Sequence, residues 1–274
     1  TDSIAVVGAG IIGVCTALTL QKQGFRVTLI DGKGVAQACS KGNAGHFATE
    51  QVFPLANIRL LPQLPKMLLD PLGPFRIRMD YLLKALPWFC QFLGNMRTQR
   101  VEDHTKAIKA LNQAAIAAYQ SLLKDAKLES AMRLDGSLLT FENPKSKSIE
   151  RQLTAFRRQG VNVEKLDQKQ LKALEPNLSD NIQAALYFKD VGHSCDPEDL
   201  TLGLYQEYLR LGGRFKQQDV TAIRPHGFGV EVKYSGSSLR YSKLVLAAGA
   251  WSHTLLAPLG YRIPLEAERG YHLM

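Results

Sequence analysis

The sequence predicts an α/β fold, α+β overall, and two observations near its N-terminus carry most of that expectation. A buried apolar run, Ser3-Ile4-Ala5-Val6-Val7, breaks into Gly8-Ala9-Gly10-Ile11-Ile12-Gly13, and a second apolar run, Phe25 to Ile30, ends on Asp31. Strand, glycine turn, helix and strand in that order are the opening of a parallel βαβ unit. A third observation is the change of period farther along, where helical spacing over residues 101–127 gives way to a series of short strands from Arg214 onward.

Each glycine of the first turn has its own task in this pattern. Gly8 turns the chain sharply out of the strand, Gly10 lets a pyrophosphate approach the backbone, and Gly13 allows the helix to pack closely on the strand. The helix from Val14 to Lys22 is closed by Gly24 and presents its N-terminal amides to the phosphates. Asp31 stands where a carboxylate accepts hydrogen bonds from an adenosine ribose. The spacing therefore points to a bound dinucleotide.

After Asp31 the stretch Gly34 to His46 is rich in glycine and small polar residues, and reads as a loop opening into a short helix. Residues 53–100 are punctuated by Pro54, Pro62, Pro65, Pro71, Pro74 and Pro87 among bulky apolar side chains, which predicts short helices and turns and looks inserted. Ala107, Ile108, Leu111, Ala115, Ala118, Tyr119 and Leu122 recur at spacings of three and four, so Val101 to Lys127 reads as a helix. Gly136 to Phe141 and Ala184 to Phe188 read as strands, and Lys147 to Gln159 and Lys169 to Leu174 as helices. Asp196 is an N-cap with Pro197 at the first helical position of a helix that runs to about Leu211. Strands follow at Arg214 to Phe215, Val220 to Ile223, Gly229 to Tyr234, Ser238 to Tyr241 and Lys243 to Ala247. A short helix then runs to Leu259, and another strand opens near Leu265.

The composition excludes several function classes. The 274 residues are 45% hydrophobic and 22% charged, with no apolar run long enough to cross a membrane. The net charge of +9 is spread along the whole sequence, without a basic arm or an aromatic-studded strip, so nucleic acid is not an expected partner. Cys15, Cys39, Cys90 and Cys195 are scattered and form no CxxC pair, which suits a reducing compartment. With no basic region and apolar core ahead of the first strand, the expected location is the cytoplasm. His193, Cys195 and Asp196 resemble metal ligands, yet Asp196 is accounted for as a helix cap, and no metal is expected.

Taken together, GAGIIG…LID, SKGNAGH, DPEDL…GGRF…DVTAI, LVLAAGAWS and RGYHL resemble the FAD-dependent amino-acid oxidase and dehydrogenase superfamily, closest to the bacterial D-amino-acid dehydrogenases. The resemblance covers essentially the whole chain, and beyond Met274 the C-terminal third of the family pattern is missing. It implies a Rossmann-like FAD-binding domain, residues 1–60 and 195–262, interleaved with an antiparallel-sheet substrate domain, residues 61–194 and 263–274. It implies FAD on Gly8, Gly10, Ile12, Gly13 and Asp31, where many relatives carry Glu, and along Ser40, Gly42, Asn43, Ala44, Gly45 and His46. Val220 lies on the strand whose backbone meets the adenine in relatives, although an apolar strand residue there is equally core. Ala248, Gly249 and Trp251 match a second crossing beside the flavin. Cys39 offers a covalent attachment point, but family attachment points lie elsewhere.

The activity implied is oxidative deamination of D-amino acids, by hydride transfer from the α-carbon to flavin N5, giving a 2-oxo acid and ammonia. His46 and Tyr271 are weak catalytic candidates, and the chain as it stands is expected to be inactive. The same fold serves D-hydroxyproline, a secondary amine or a 2-hydroxy acid; a non-catalytic flavoprotein subunit and an NAD(P) enzyme are the readings from other classes. The electron acceptor is oxygen in an oxidase and a quinone or carrier protein in a dehydrogenase. Arg59, Lys66, Arg76, Arg78, Lys84 and Arg97 accompany the apolar residues of the proline-rich stretch, a composition that permits peripheral contact with the inner face of the cell membrane.

Overall fold

The computed structural model describes residues 2–56, 58, 61, 79–145, 147–265, 267 and 270. Strand β1 (Ser3–Val7) is followed by α1 (Ile11–Lys22) and β2 (Arg26–Ile30). Where a short helix is expected between Gly34 and His46, the chain makes only turns and bends and enters β3 (His46–Phe47). Glycines at 34, 42 and 45 all take positive φ, which breaks any helical run.

Helix α2 (Leu82–Asn95) lies in the stretch where the prolines predict short helices and turns, and it carries Pro87 in its interior. The ring leaves a carbonyl one turn earlier without its helical N–H partner, on a helix that has no buried residue. Helix α3 (Thr98–Ala126), β4 (Met132–Arg133), β5 (Ser137–Phe141) and α4 (Lys147–Arg158) follow. A strand that the sequence did not announce, β6 (Val163–Asp167), then leads into α5 (Gln168–Leu174). Its composition, VEKLD, is mostly polar and shows no two-residue alternation, with Val163 and Leu166 its buried positions. Strands β7 (Ala184–Phe188) and β8 (Gly192–Ser194), helix α6 (Pro197–Arg210), strands β9 (Arg214–Lys216), β10 (Val220–His226), β11 (Gly229–Tyr234), β12 (Ser237–Tyr241) and β13 (Lys243–Leu246), and helix α7 (Ser252–Leu256) complete the order. The strand expected from Leu265 falls largely on residues 266, 268, 269 and 271–274, which lie outside the described residues.

The chain divides into two compact units. The first comprises Thr1–His46, Ala118–Arg133 and His193–Met274; the second comprises Phe47–Ala117 and Leu134–Gly192. In the first, a parallel sheet runs in the order β13-β1-β2-β9, with Val6 opposite both Leu29 and Val245. A three-stranded antiparallel sheet, β10-β11-β12, packs its buried residues Ile223, Val232, Tyr234 and Tyr241 with Ala5, Val7 and Ile30. In the second unit, β7 lies between β5 and β6, antiparallel to both. Ile149 and Leu153 of α4 join Val163, Ala184, Leu186 and Phe188 in its core.

Tyr208 shows how the first unit is held together. Its ring is fully buried, and its hydroxyl accepts from Leu29 N–H at 3.2 Å and from Arg214 N–H at 2.9 Å. Its single proton has two carbonyl acceptors within reach, Val27 O at 2.9 Å and Arg214 O at 2.8 Å, and the hydroxyl thus joins β2 to the start of β9. Burial pushes its pKa up from 10.0 to about 12.

Tyr208→Phe strands two backbone amides in the interior and should cost about 1–3 kcal/mol by urea titration at pH 7. Above pH 10 the unfolded tyrosine ionises while the folded one keeps its proton until about pH 12, so this residue's contribution falls across that window. The stability gap between the native protein and Tyr208→Phe should therefore narrow from pH 10 to 12, and a constant gap would contradict the assignment.

Candidate functional site

The turn between β1 and α1 is built on two close backbone approaches. Gly8 has φ +104, and a Cβ there would stand 2.6 Å from the carbonyl carbon of Ala247 and 2.9 Å from Ala248 Cα. A Cβ on Gly13 would strike the Gly8 carbonyl, with the carbonyl carbon at 2.9 Å. Gly8 N–H donates to Ile30 O at 2.8 Å and Ala247 N–H to Val7 O at 2.7 Å, so the turn sits over the C-terminal ends of β1, β2 and β13. This is the place where an open parallel sheet takes its ligand.

Asp31 is held by that same turn. Its Oδ2 accepts from Ala9 N–H at 2.9 Å and its Oδ1 from Lys33 N–H at 2.8 Å. The carboxylate thus ties the end of β2 to the glycine loop and keeps lone pairs for a further donor. Ser40, buried, accepts from Ile11 N–H at 2.8 Å and so caps the helix α1 from a distant part of the chain. Gly10, at the N-cap position, has no side chain to do this.

Asn43 shapes the loop that follows, donating to Cys39 O at 3.0 Å and accepting from Gly45 N–H at 2.8 Å. Gly45 must be small, because a Cβ there would lie 2.7 Å from Ser194 O and 3.2 Å from Pro197 Cγ. Lys41 pairs with Glu198 at 3.1 Å, and Gln37 donates to Glu198 at 3.0 Å, securing the loop to the first turn of α6. Asp196 Oδ1 caps α6 by accepting from Glu198 N–H (2.7 Å) and Asp199 N–H (3.0 Å), which accounts for that carboxylate without a metal. Among the described residues no group of three or more His, Cys, Asp or Glu is placed to hold a metal ion.

These elements surround a cleft of about 710 Å³. Of the residues singled out from the sequence, Gly8, Gly10, Ile12, Asp31, Ser40, Asn43, Val220, Ala248, Gly249 and Trp251 line it. Gly13 supports the turn from behind, while Gly42, Ala44, Gly45 and His46 do not reach the lining. His46 is exposed at the start of β3, and Tyr271 lies outside the described residues. Cys39 also faces the cleft, as an exposed thiol; Cys15, on α1, is half-buried and its thiol is pushed up to about 12 by desolvation.

The lining also contains Lys33, Gln218, Asp219, Thr221 and Thr254. Lys33 Nζ stands 5.2 Å from the centre of the Trp251 ring, bringing the β2 loop and the segment after β13 together at one wall. The only available signal for Gln218 and Asp219 was their place just ahead of the Val220 strand.

A glycine cradle that tolerates no Cβ, a helix N-terminus facing the cleft and a tethered carboxylate suit a dinucleotide such as FAD. The comparisons with known proteins agree. The pattern of the family described as FAD dependent oxidoreductase (DAO) matches residues 3–274. The chain is 32% identical over 277 residues to a D-amino-acid oxidase of Bradyrhizobium diazoefficiens, covering 99% of this chain and 65% of that protein. It is 26% identical to a D-amino acid dehydrogenase of Vibrio vulnificus, covering 98% and 66%. The chain therefore spans about two thirds of the length of these curated relatives.

Among solved structures, glycine oxidase from Geobacillus kaustophilus superposes with a TM-score of 0.64 at 20% identity, covering 95% of this chain and 59% of that one. L-amino acid deaminase from Proteus vulgaris superposes with a TM-score of 0.66 at 15% identity, covering 96% and 51%. These two likenesses establish the fold.

Two glycine substitutions should separate cofactor contact from packing. A Cβ at Gly10 meets only Ser40 Oγ at 3.1 Å, so Gly10→Val should leave the fold intact by circular dichroism while abolishing FAD binding. Gly13→Ala, by contrast, pushes α1 off β1 and should lower the melting temperature. Normal flavin content in Gly10→Val would place the pyrophosphate elsewhere.

Proposed function

The chain belongs to the DAO family of FAD dependent oxidoreductases, and on that premise we propose that its protein oxidises D-amino acids at the α-carbon. The cleft carries this reading, because the glycine turn and Asp31 meet Ala248, Gly249 and Trp251 around one volume. The unit containing residues 1–46, 118–133 and 193–274 holds the FAD, and the unit containing 47–117 and 134–192 belongs to the substrate domain.

Gly8 and Gly10 bring backbone to the pyrophosphate, and Asp31 takes a ribose hydroxyl. Val220, on the first strand of the antiparallel sheet, presents backbone to the adenine, and the Ala248 to Trp251 turn runs beside the flavin. Ser40 and Asn43 act mainly by shape: one caps α1 and the other folds the loop, so each fixes the cleft wall. FAD held by these residues would supply the two-electron oxidation that takes an amino acid, through its imino acid and water, to a 2-oxo acid and ammonia.

The D-configuration rests on the names of the two curated relatives, one an oxidase and one a dehydrogenase. A panel of D-amino acids, L-amino acids, glycine, D-hydroxyproline, sarcosine and 2-hydroxy acids should be tested with the complete protein and an artificial electron-accepting dye. Dye reduction by D-amino acids alone is expected. Reduction by glycine, L-amino acids or hydroxy acids instead would replace the substrate assignment. No reduction with any donor would favour a non-catalytic flavoprotein subunit.

One observation favours peripheral membrane contact as a property of the same protein. Helix α2 has no buried residue, and Leu83, Leu86, Trp88 and Leu93 are exposed along it. Lys84 sits on the helix, Arg97 and Arg100 follow it, and its 14 residues contain no Asp or Glu. Exposed leucine and tryptophan side chains with cations beside them and no acid among them are what an anionic bilayer surface binds. The protein should float with anionic liposomes at low salt, and Trp88→Ser with Leu83→Ser should remain at the bottom of the gradient. Absence of the unmodified protein from the liposome fraction would exclude the contact.

A further inference from the structure

Beyond Asp31, the cleft holds a second carboxylate that nothing in the glycine pattern anticipates. Asp219 lies in the loop between β9 and β10 and lines the same cleft as Asp31, Gly32 and Lys33. Its carboxylate rests directly against the backbone of Gly32, the residue that follows Asp31. A Cβ on Gly32 would lie 2.5 Å from Asp219 Cγ and closer still to Oδ1. Here φ is not positive, so glycine at 32 answers to a close approach rather than to backbone strain.

The two carboxylates differ in what holds them. Both oxygens of Asp31 already accept backbone N–H groups, from Ala9 and from Lys33, and these bonds fix it to the glycine turn. Asp219 is placed by packing, and among the described residues no hydrogen bond or ion pair engages it. An exposed carboxylate in this position keeps its full capacity to accept hydrogen bonds from a ligand.

An adenosine ribose offers two adjacent hydroxyl donors. With one carboxylate on each, both protons are used and the like charges are bridged by donors between them. A ribose carrying a phosphate at its 2′ position would instead place that anion among two carboxylates. We propose that Asp219 is a second ribose ligand alongside Asp31, and that the pair selects a dinucleotide with an unphosphorylated adenosine ribose. This rests on the reading of the cleft as the FAD site and assigns Asp219 and Gly32 a part in it.

Equilibrium binding of ADP and of 2′-phospho-ADP, followed by calorimetry, tests the inference without turnover. The unmodified protein should prefer ADP by about a hundredfold, the product of one lost hydrogen bond and one repulsive contact. Asp219→Asn should bind ADP about tenfold more weakly and should lose about tenfold of that preference. Gly32→Ala, which displaces the Asp219 carboxylate, should reproduce both changes, and the double variant should lose no more than either single one. Circular dichroism confirms that the variants remain folded; Asp219 is exposed, so its substitution leaves the core untouched. If ADP binds and Asp219→Asn retains both affinity and preference, this inference falls alone. If ADP does not bind the unmodified protein, the dinucleotide reading falls, and the inference with it.

Discussion

The close approach of three backbone segments around Gly8 is the constraint on which the rest of the first unit depends. The end of β1, the start of α1 and the segment after β13 meet where neither Gly8 nor Gly13 has room for a Cβ. Because they meet, the N-terminus of α1 borders a cleft, with Ile11 N–H taken by Ser40, and Ala248 and Gly249 line the same cleft. Asp31 then reads as part of the same knot, since its hydrogen bond from Ala9 ties β2 to the turn. Any methyl group at this junction would displace the helix, the crossing or both.

Around that knot the protein uses side chains from far along the sequence to finish what the local pattern leaves open. Gly10 has no side chain with which to cap its own helix; Ser40 does so from 29 residues away. The β2–β9 edge is satisfied by a tyrosine hydroxyl from α6, and Tyr208 needs Gly213 beside its ring, because a Cβ there would meet Cδ2 at 2.5 Å. The loop from Gly34 to His46 is secured by Glu198 and by Gly45 against Ser194, so its form follows from α6 more than from its own residues. Such distributed support suits a site that must keep a defined shape while most of its contacts to a ligand come from backbone.

Much of the architecture was legible because it rests on short-range rules. The βαβ opening, the Asp196–Pro197 helix start, the strand β7 and the run of strands after Arg214 all appear where periodicity and capping residues put them. The misreadings share a cause. The prolines predict short helices and turns, yet the 14 residues of α2 continue through Pro87 on an exposed helix where the lost hydrogen bond costs little. Strand β6 was missed because its sequence is mostly polar; pairing with β7 and the burial of Val163 and Leu166 make it a strand. The short helix expected before His46 gave way to turns through three positive-φ glycines.

The amino-acid sequence by itself determined the glycine turn at the cleft: the places of Gly8 and Gly13 follow from steric limits that act around one strand–turn–helix unit, and Asp31 follows from the end of the next strand. It also determined the family, since those residues stand in order with SKGNAGH and LVLAAGAWS over the whole chain. Only the tertiary structure decided which of the remaining small and polar residues face the cleft. Asn43 and Ser40 line it while Gly42, Ala44 and His46 do not, and Asp219 lies beside Asp31 although 188 positions separate them in number. The physical reason is that a turn is specified by the conformations its own residues allow, whereas neighbourhood across a sheet is specified by which distant strands pair.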